Sequence, residues 1–187
     1  DLKFSLPEPA WHGHHQTFYR LENASPYLFL DLVIMDHGND KIRLNEIEIH
    51  GETTAIFDKA GVVKGVHIDM DEWNQNLQKK LETQKVLFEL FLPLTTKEIH
   101  RGNAIEAIAY YQGTSLKRLL MALRMKYSPT RFDFEYRYVY YEFPEDVVKR
   151  LESFYFIPDM ETLAQKHAEA TEWFWKVVAE LEEEWGS

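Results

Sequence analysis

Tyr27-Leu-Phe-Leu-Asp-Leu-Val-Ile-Met35 is the stretch on which the reading of this chain turns. It is apolar except for one carboxylate, Asp31. Aromatic and β-branched side chains sit among its leucines. Pro26 bounds it before, and Asp36-His-Gly-Asn39 bounds it after. Such a run, bounded by turn residues, predicts a buried β-strand. A charge inside a buried strand needs a cationic partner, an ion, or a place at the sheet's edge. Asp31 is therefore the first candidate site residue. Asp1 is the second, at the head of a similar strand, Asp1-Leu-Lys-Phe-Ser-Leu6. Two neighbouring strands that each carry an Asp suggest a divalent metal ion held between them.

Working outward, Thr17-Phe-Tyr19 reads as another strand and Glu22-Asn-Ala-Ser-Pro26 as a turn. The short links make antiparallel pairing the simplest arrangement. Residues 42–49 are only loosely periodic and fit a weak strand or a short helix. Thr53 to Phe57 reads as a short strand, followed by a hairpin-like turn at Asp58-Lys-Ala-Gly61. Beyond Ile68 the pattern becomes helical. Asp69 with Glu72 has the form of a capping box. Trp73, Leu77, Leu81, Leu87 and Phe91 then share one helical face, which Pro93 interrupts. Thr95 with Glu98 and Asn103 with Glu106 have the same capping form. The latter pair opens a long helix through Tyr127, which Pro129 stops. Arg131 to Tyr141 fits a strand or an extended loop. Pro144 opens a helix to about Phe154, and Pro158-Asp159 open a last one to about Trp185. The expected fold is α+β: a small mixed sheet over residues 1–68, followed by a helical bundle of four or five helices over 69–187.

The length of 187 residues fits one domain, or a small domain with a helical extension. A net charge of −10 repels phosphate backbones and disfavours general nucleic-acid binding. With no cysteine there is neither a disulfide framework nor a thiolate metal site. No apolar run suits a membrane span and no signal peptide is visible, so a cytoplasmic location without a membrane partner is expected. The chain begins at Asp1 without an initiator Met, as a processed, trimmed or excised chain would.

Several further residues invite a chemical reading. His12, His14 and His15 form a cluster beside Gly13; they read first as surface histidines, then as transition-metal ligands or contacts to a substrate phosphate. Glu106 is a candidate general base, and equally the acid that a capping box wants. His100 and Arg101 precede the same helix. Lys117, Arg118, Arg124, Lys126 and Arg131 form the one basic concentration, suited to a nucleotide's phosphates, to an acidic partner or to a solvated face. The aromatic run from Phe132 to Phe143 reads as core. So do Trp173, Phe174, Trp175 and Trp185, packing the last helix onto the bundle.

The order of these elements resembles the nucleotidyltransferase superfamily, the DNA polymerase beta-like fold, in its small antibiotic-modifying and uncharacterised members. Asp31 within Leu30-Asp-Leu-Val33 looks like that family's third carboxylate. Asp1 looks like the second Asp of its Asp-x-Asp pair, with the first Asp and the Gly-Ser turn lying before the chain starts. Arg101-Gly-Asn-Ala-Ile-Glu-Ala107, Leu116 to Arg124 and Lys126-Tyr-Ser-Pro-Thr-Arg131 resemble its C-terminal bundle. The resemblance implies a magnesium ion held by Asp1 and Asp31, because hard cations take oxygen ligands. It implies a nucleoside triphosphate, bound with help from Lys117 and Arg118, and a small-molecule hydroxyl as acceptor. Asp31 and Glu106 would be the catalytic pair. A non-catalytic binding or interaction module on the same fold is the alternative, and a homodimer stays open.

Overall fold

The computed structural model describes residues 2–7, 13–35, 46–61 and 63–186. The chain divides into two compact units, residues 1–66 and 67–187.

The first unit is built on a three-stranded sheet of order β1-β2-β3, with β1 at Leu2–Ser5, β2 at His15–Arg20 and β3 at Phe29–Ile34. Both pairings are antiparallel, so the sheet is not the mixed one expected. Asn23 takes a positive φ of 57° in the β2–β3 link, a conformation that asparagine tolerates better than most residues. The apolar run expected to be buried lies at the sheet's edge. Phe29, Leu30, Leu32 and Ile34 are all exposed, and only Val33 of β3 is half-buried. An edge strand pairs on one side only, and nothing in its residue pattern separates it from a central strand. Residues 53–57 form no strand. Ile47–His50 make a short helix, α1, beside which Ile47 N–H donates to the Val66 carbonyl at 3.0 Å. A Cβ at Gly65 would come within 2.6 Å of Ile47 Cδ1, so a larger residue there would have to push that side chain aside.

The second unit is helical. α2 spans Met70–Arg101 and opens at Asp69, whose carboxylate accepts from the Asp71 and Glu72 amides. It runs straight through Pro93, where a break was expected. The Pro removes one backbone donor, and tertiary packing on both sides outweighs that loss. Leu77, Leu81 and Phe88 before it and Thr95 and Glu98 after it are all buried. Thr95 and Glu98 therefore lie inside α2 rather than capping a new helix. The helix ends at Gly102 in a Schellman arrangement. Gly102 has φ 73°, Gly102 N–H donates to the Ile99 carbonyl, and Asn103 N–H donates to that of Glu98.

From Ala104 to Tyr127 the chain is helical throughout, in three parts. α3 is Ala104–Tyr110, a π-helical segment is Tyr111–Leu116, and α4 is Lys117–Tyr127. The expected strand at 131–141 does not form: residues 132–138 are irregular turns between a 3-10 turn at Pro129–Arg131 and a short helix α5 at Val139–Glu142. α6 spans Glu145–Glu152 and α7 spans Met160–Gly186. The core joins α2, α4 and α7. Phe88 and Phe174 stack at 3.9 Å between ring centroids, and Trp175 meets both edge-on. The Tyr111 hydroxyl donates to the Phe154 carbonyl at 3.0 Å, tying the π segment to the end of α6.

Candidate functional site

In the first unit, Asp31 is exposed in mid-β3, opposite Phe18 of β2. Gln16 lies two residues along β2 and on the same face. Its Nε2 donates to both carboxylate oxygens, at 2.8 and 2.9 Å. Asp31 is thus half of a diagonal cross-strand pair. Asp1 and His12 lie outside the described residues; His14 is half-buried just before β2, and His15 opens it, exposed. Among the described residues no group of three or more His, Asp or Glu side chains is placed to hold a metal ion.

In the second unit, Glu106 is exposed on α3 and makes no hydrogen bond or ion pair among the described residues. Asn103, its expected capping partner, turns back to α2, and its Nδ2 donates to Glu98 Oε2 at 2.7 Å. Four of the five basic residues of the 117–131 region are paired to carboxylates. Lys117 meets Glu135 at 2.7 Å, Lys126 meets Glu180 at 2.6 Å, and Arg124 and Arg131 share Glu142 at 2.7 and 2.6 Å. Arg118 is half-buried. It lies over the Phe91 ring, Nη1 donates to the Thr114 carbonyl, and burial lowers its pKa.

Two polar clusters lie inside this unit, and both are structural. Arg124 is fully buried. Besides Glu142, it donates to the carbonyls of Glu135 and Arg137. It thereby supplies donors to a segment whose backbone is irregular, with Glu135 and Tyr138 at positive φ. Burial alone would raise the Glu142 pKa. The bonds it accepts from Arg131, Arg124 and Ser128 outweigh that and hold its carboxyl below the usual range. The second cluster centres on His167 of α7. Its Nδ1 lies 3.1 Å from Ser115 Oγ in the π segment, and its Nε2 lies 3.3 Å from Thr96 Oγ1 on α2. A Ser–His contact is the geometry of an activated nucleophile. Here, however, Ser115 has no exposed surface, and burial pushes the His167 pKa down. The cluster pins three helices together.

The concave feature that carries uncommitted chemistry lies between α5 and α6. Three tyrosines, Tyr136, Tyr140 and Tyr155, and Glu152 surround a pocket of about 190 Å³ with the buried Val148 and Leu151. Tyr136 and Tyr155 meet edge-on at 5.9 Å. The Tyr140 hydroxyl donates to Glu152 Oε1 at 2.8 Å. The Tyr155 hydroxyl is buried without a hydrogen-bond partner. Burial first, and the Tyr136 phenol second, raise its pKa far above the ordinary phenol value. Glu152 pairs with no Lys, Arg or His among the described residues. Sequence reasoning assigned these residues to core and helix end. One signal was available: Glu152 puts a carboxylate on the last residue of a helix, where the exposed carbonyls disfavour it.

No family model matches this chain, and neither a curated protein nor a solved structure matches it.

Proposed function

We propose that this chain is a non-catalytic ligand-binding module whose helical unit carries the binding pocket. The observation behind this reading is the contrast between committed and uncommitted polar groups. Arg124, Glu142, Ser115 and His167 are bonded to one another in closed networks. Around the Tyr136–Tyr155 pocket, one oxygen of the Glu152 carboxylate remains without a partner among the described residues. A concave, mainly apolar surface with a few open polar groups is the usual form of a ligand site. The test is a fragment screen followed by NMR, reading the methyl groups of Val139, Val148 and Leu151. Fragment-induced shifts at these methyls, lost when Val148→Trp fills the pocket, are expected. Hits that shift only other parts of the chain would end this reading.

Nucleotidyl transfer is the second reading, and the exposure of the Asp31 carboxylate favours it. Magnesium and ATP together would then raise the melting temperature, and Asp31→Asn would abolish that rise. Absence of any rise at millimolar ligand in the unmodified chain counts against it.

A further inference from the structure

Building on the ligand-binding reading above, we propose that the Tyr136–Tyr140–Glu152–Tyr155 pocket takes a protonated primary amine at the end of an alkyl chain. The charge balance of the site points to a cation. Glu152 is half-buried at the last position of α6, at the helix's negative end. Both cations of that turn are engaged elsewhere. Lys149 pairs with Glu145 at 2.5 Å, and the Arg150 guanidinium lies 4.0 Å from the Trp173 ring centroid. Tyr140 satisfies Oε1 of Glu152, while Oε2 has no partner among the described residues. An anionic ligand would meet this carboxylate and the carbonyl end of α6 together. The net charge of −10 further favours a cation over an anion.

The remaining features select the kind of cation. Three tyrosine rings offer electron-rich faces, which attract an ammonium group. The free Glu152 oxygen is an acceptor awaiting N–H donors. A primary ammonium carries three such donors, whereas a quaternary ammonium carries none. Val148 and Leu151 give the methylene stem an apolar wall. At 190 Å³ the pocket is smaller than the roughly 300–1,000 Å³ of sites that enclose drug-sized molecules, so it takes the end of a chain rather than a whole nucleotide.

The test titrates the intact chain at low salt with n-butylammonium, 1-butanol and tetramethylammonium, reading NMR shifts at the pocket methyls. Butylammonium should bind about tenfold more tightly than 1-butanol, because only the former brings a positive charge to Glu152 and the tyrosine rings. Glu152→Gln should erase most of that difference while leaving 1-butanol binding unchanged. Tetramethylammonium, which has no N–H to give the free Glu152 oxygen, should bind more weakly than butylammonium. Equal binding of butylammonium and 1-butanol, with shifts at the pocket, would overturn the amine assignment and leave the pocket reading standing. No shift there with any probe would overturn both. Nα-acetyl-lysine N-methylamide separates the sources of the amine. Binding as tight as butylammonium assigns the group to a partner's lysine side chain, and binding about tenfold weaker assigns it to a free alkylamine.

Discussion

Glu142→Gln should unfold the helical unit far more easily than its position near a loop suggests. The substitution keeps the side chain's shape and removes its charge. Arg124, with no exposed side-chain surface, then loses its only carboxylate among the described residues. Removing one partner of a buried ion pair costs about 3–5 kcal/mol, because the other charge stays buried. For a unit spanning residues 67–187, that corresponds to a fall in melting temperature of roughly 10–20 °C. Arg124→Met should cost at least as much, since the carbonyls of Glu135 and Arg137 also lose their donors. Each acceptor so abandoned adds about 1–3 kcal/mol. Urea and thermal unfolding followed by tryptophan fluorescence and circular dichroism measure both variants. Acid titration gives an independent check. The folded Glu142 carboxyl titrates below its unfolded value of about 4.3. Its stabilisation is therefore complete above that pH and is lost as the pH falls through the lower folded pKa. Glu142→Gln should flatten the acid limb of the stability curve. A melting temperature within 2 °C of the unmodified chain, or an unchanged acid limb, would refute this account of the network.

Pro93→Ala should raise the stability of the helical unit. Pro93 is exposed within α2, so the change restores a helical N–H and leaves the core alone, for a gain of up to about 3 kcal/mol; a fall in melting temperature would contradict it. His167 predicts a second acid-sensitive step. Its folded pKa lies below the unfolded value of about 6.5, so the unfolded chain takes up the proton first, and stability should decline as the pH falls below that value. His167→Gln should remove this step in melting curves collected between pH 8 and pH 5.

Local signals in the sequence served where local chemistry decides. Asp69 caps α2, Asp159 receives the Thr162 amide at the start of α7, and the apolar run at 27–35 does contain a strand. They misled where distant contacts decide. Thr95 precedes an acid by three residues yet is buried inside α2, and Asn103 does stand at the start of α3 but turns its side chain back to Glu98 instead of capping the helix. The Arg101-Gly-Asn103 sequence was the better marker of the helix end, because Gly102 adopts the left-handed conformation that closes it. Pro93 breaks a statistical rule against helix interiors, which buried neighbours on both sides overrule. Arg124 could not be told from Lys117 or Lys126 by sequence, since its burial depends on Glu142 eighteen residues away. The tyrosine pocket likewise joins Tyr136 to Tyr155, a juxtaposition set by the turn between α5 and α6 rather than by spacing along the chain. The candidate site was for that reason the least legible part of the molecule.

The π-helical segment gives this chain tolerance to two kinds of change at one position. Buried residues recur at 107, 111, 116, 120 and 123, and the single step of five falls where the helix widens. The wider turn absorbs the extra residue, so the buried positions of α3 and α4 stay in the same core. Gly113 sits in that turn with open space where a Cβ would go, so alanine should be accepted there. Deleting it would return that step to four, an α-helical spacing that keeps Leu116, Leu120 and Leu123 on the core. At this site the chain has latitude in length as well as in letter.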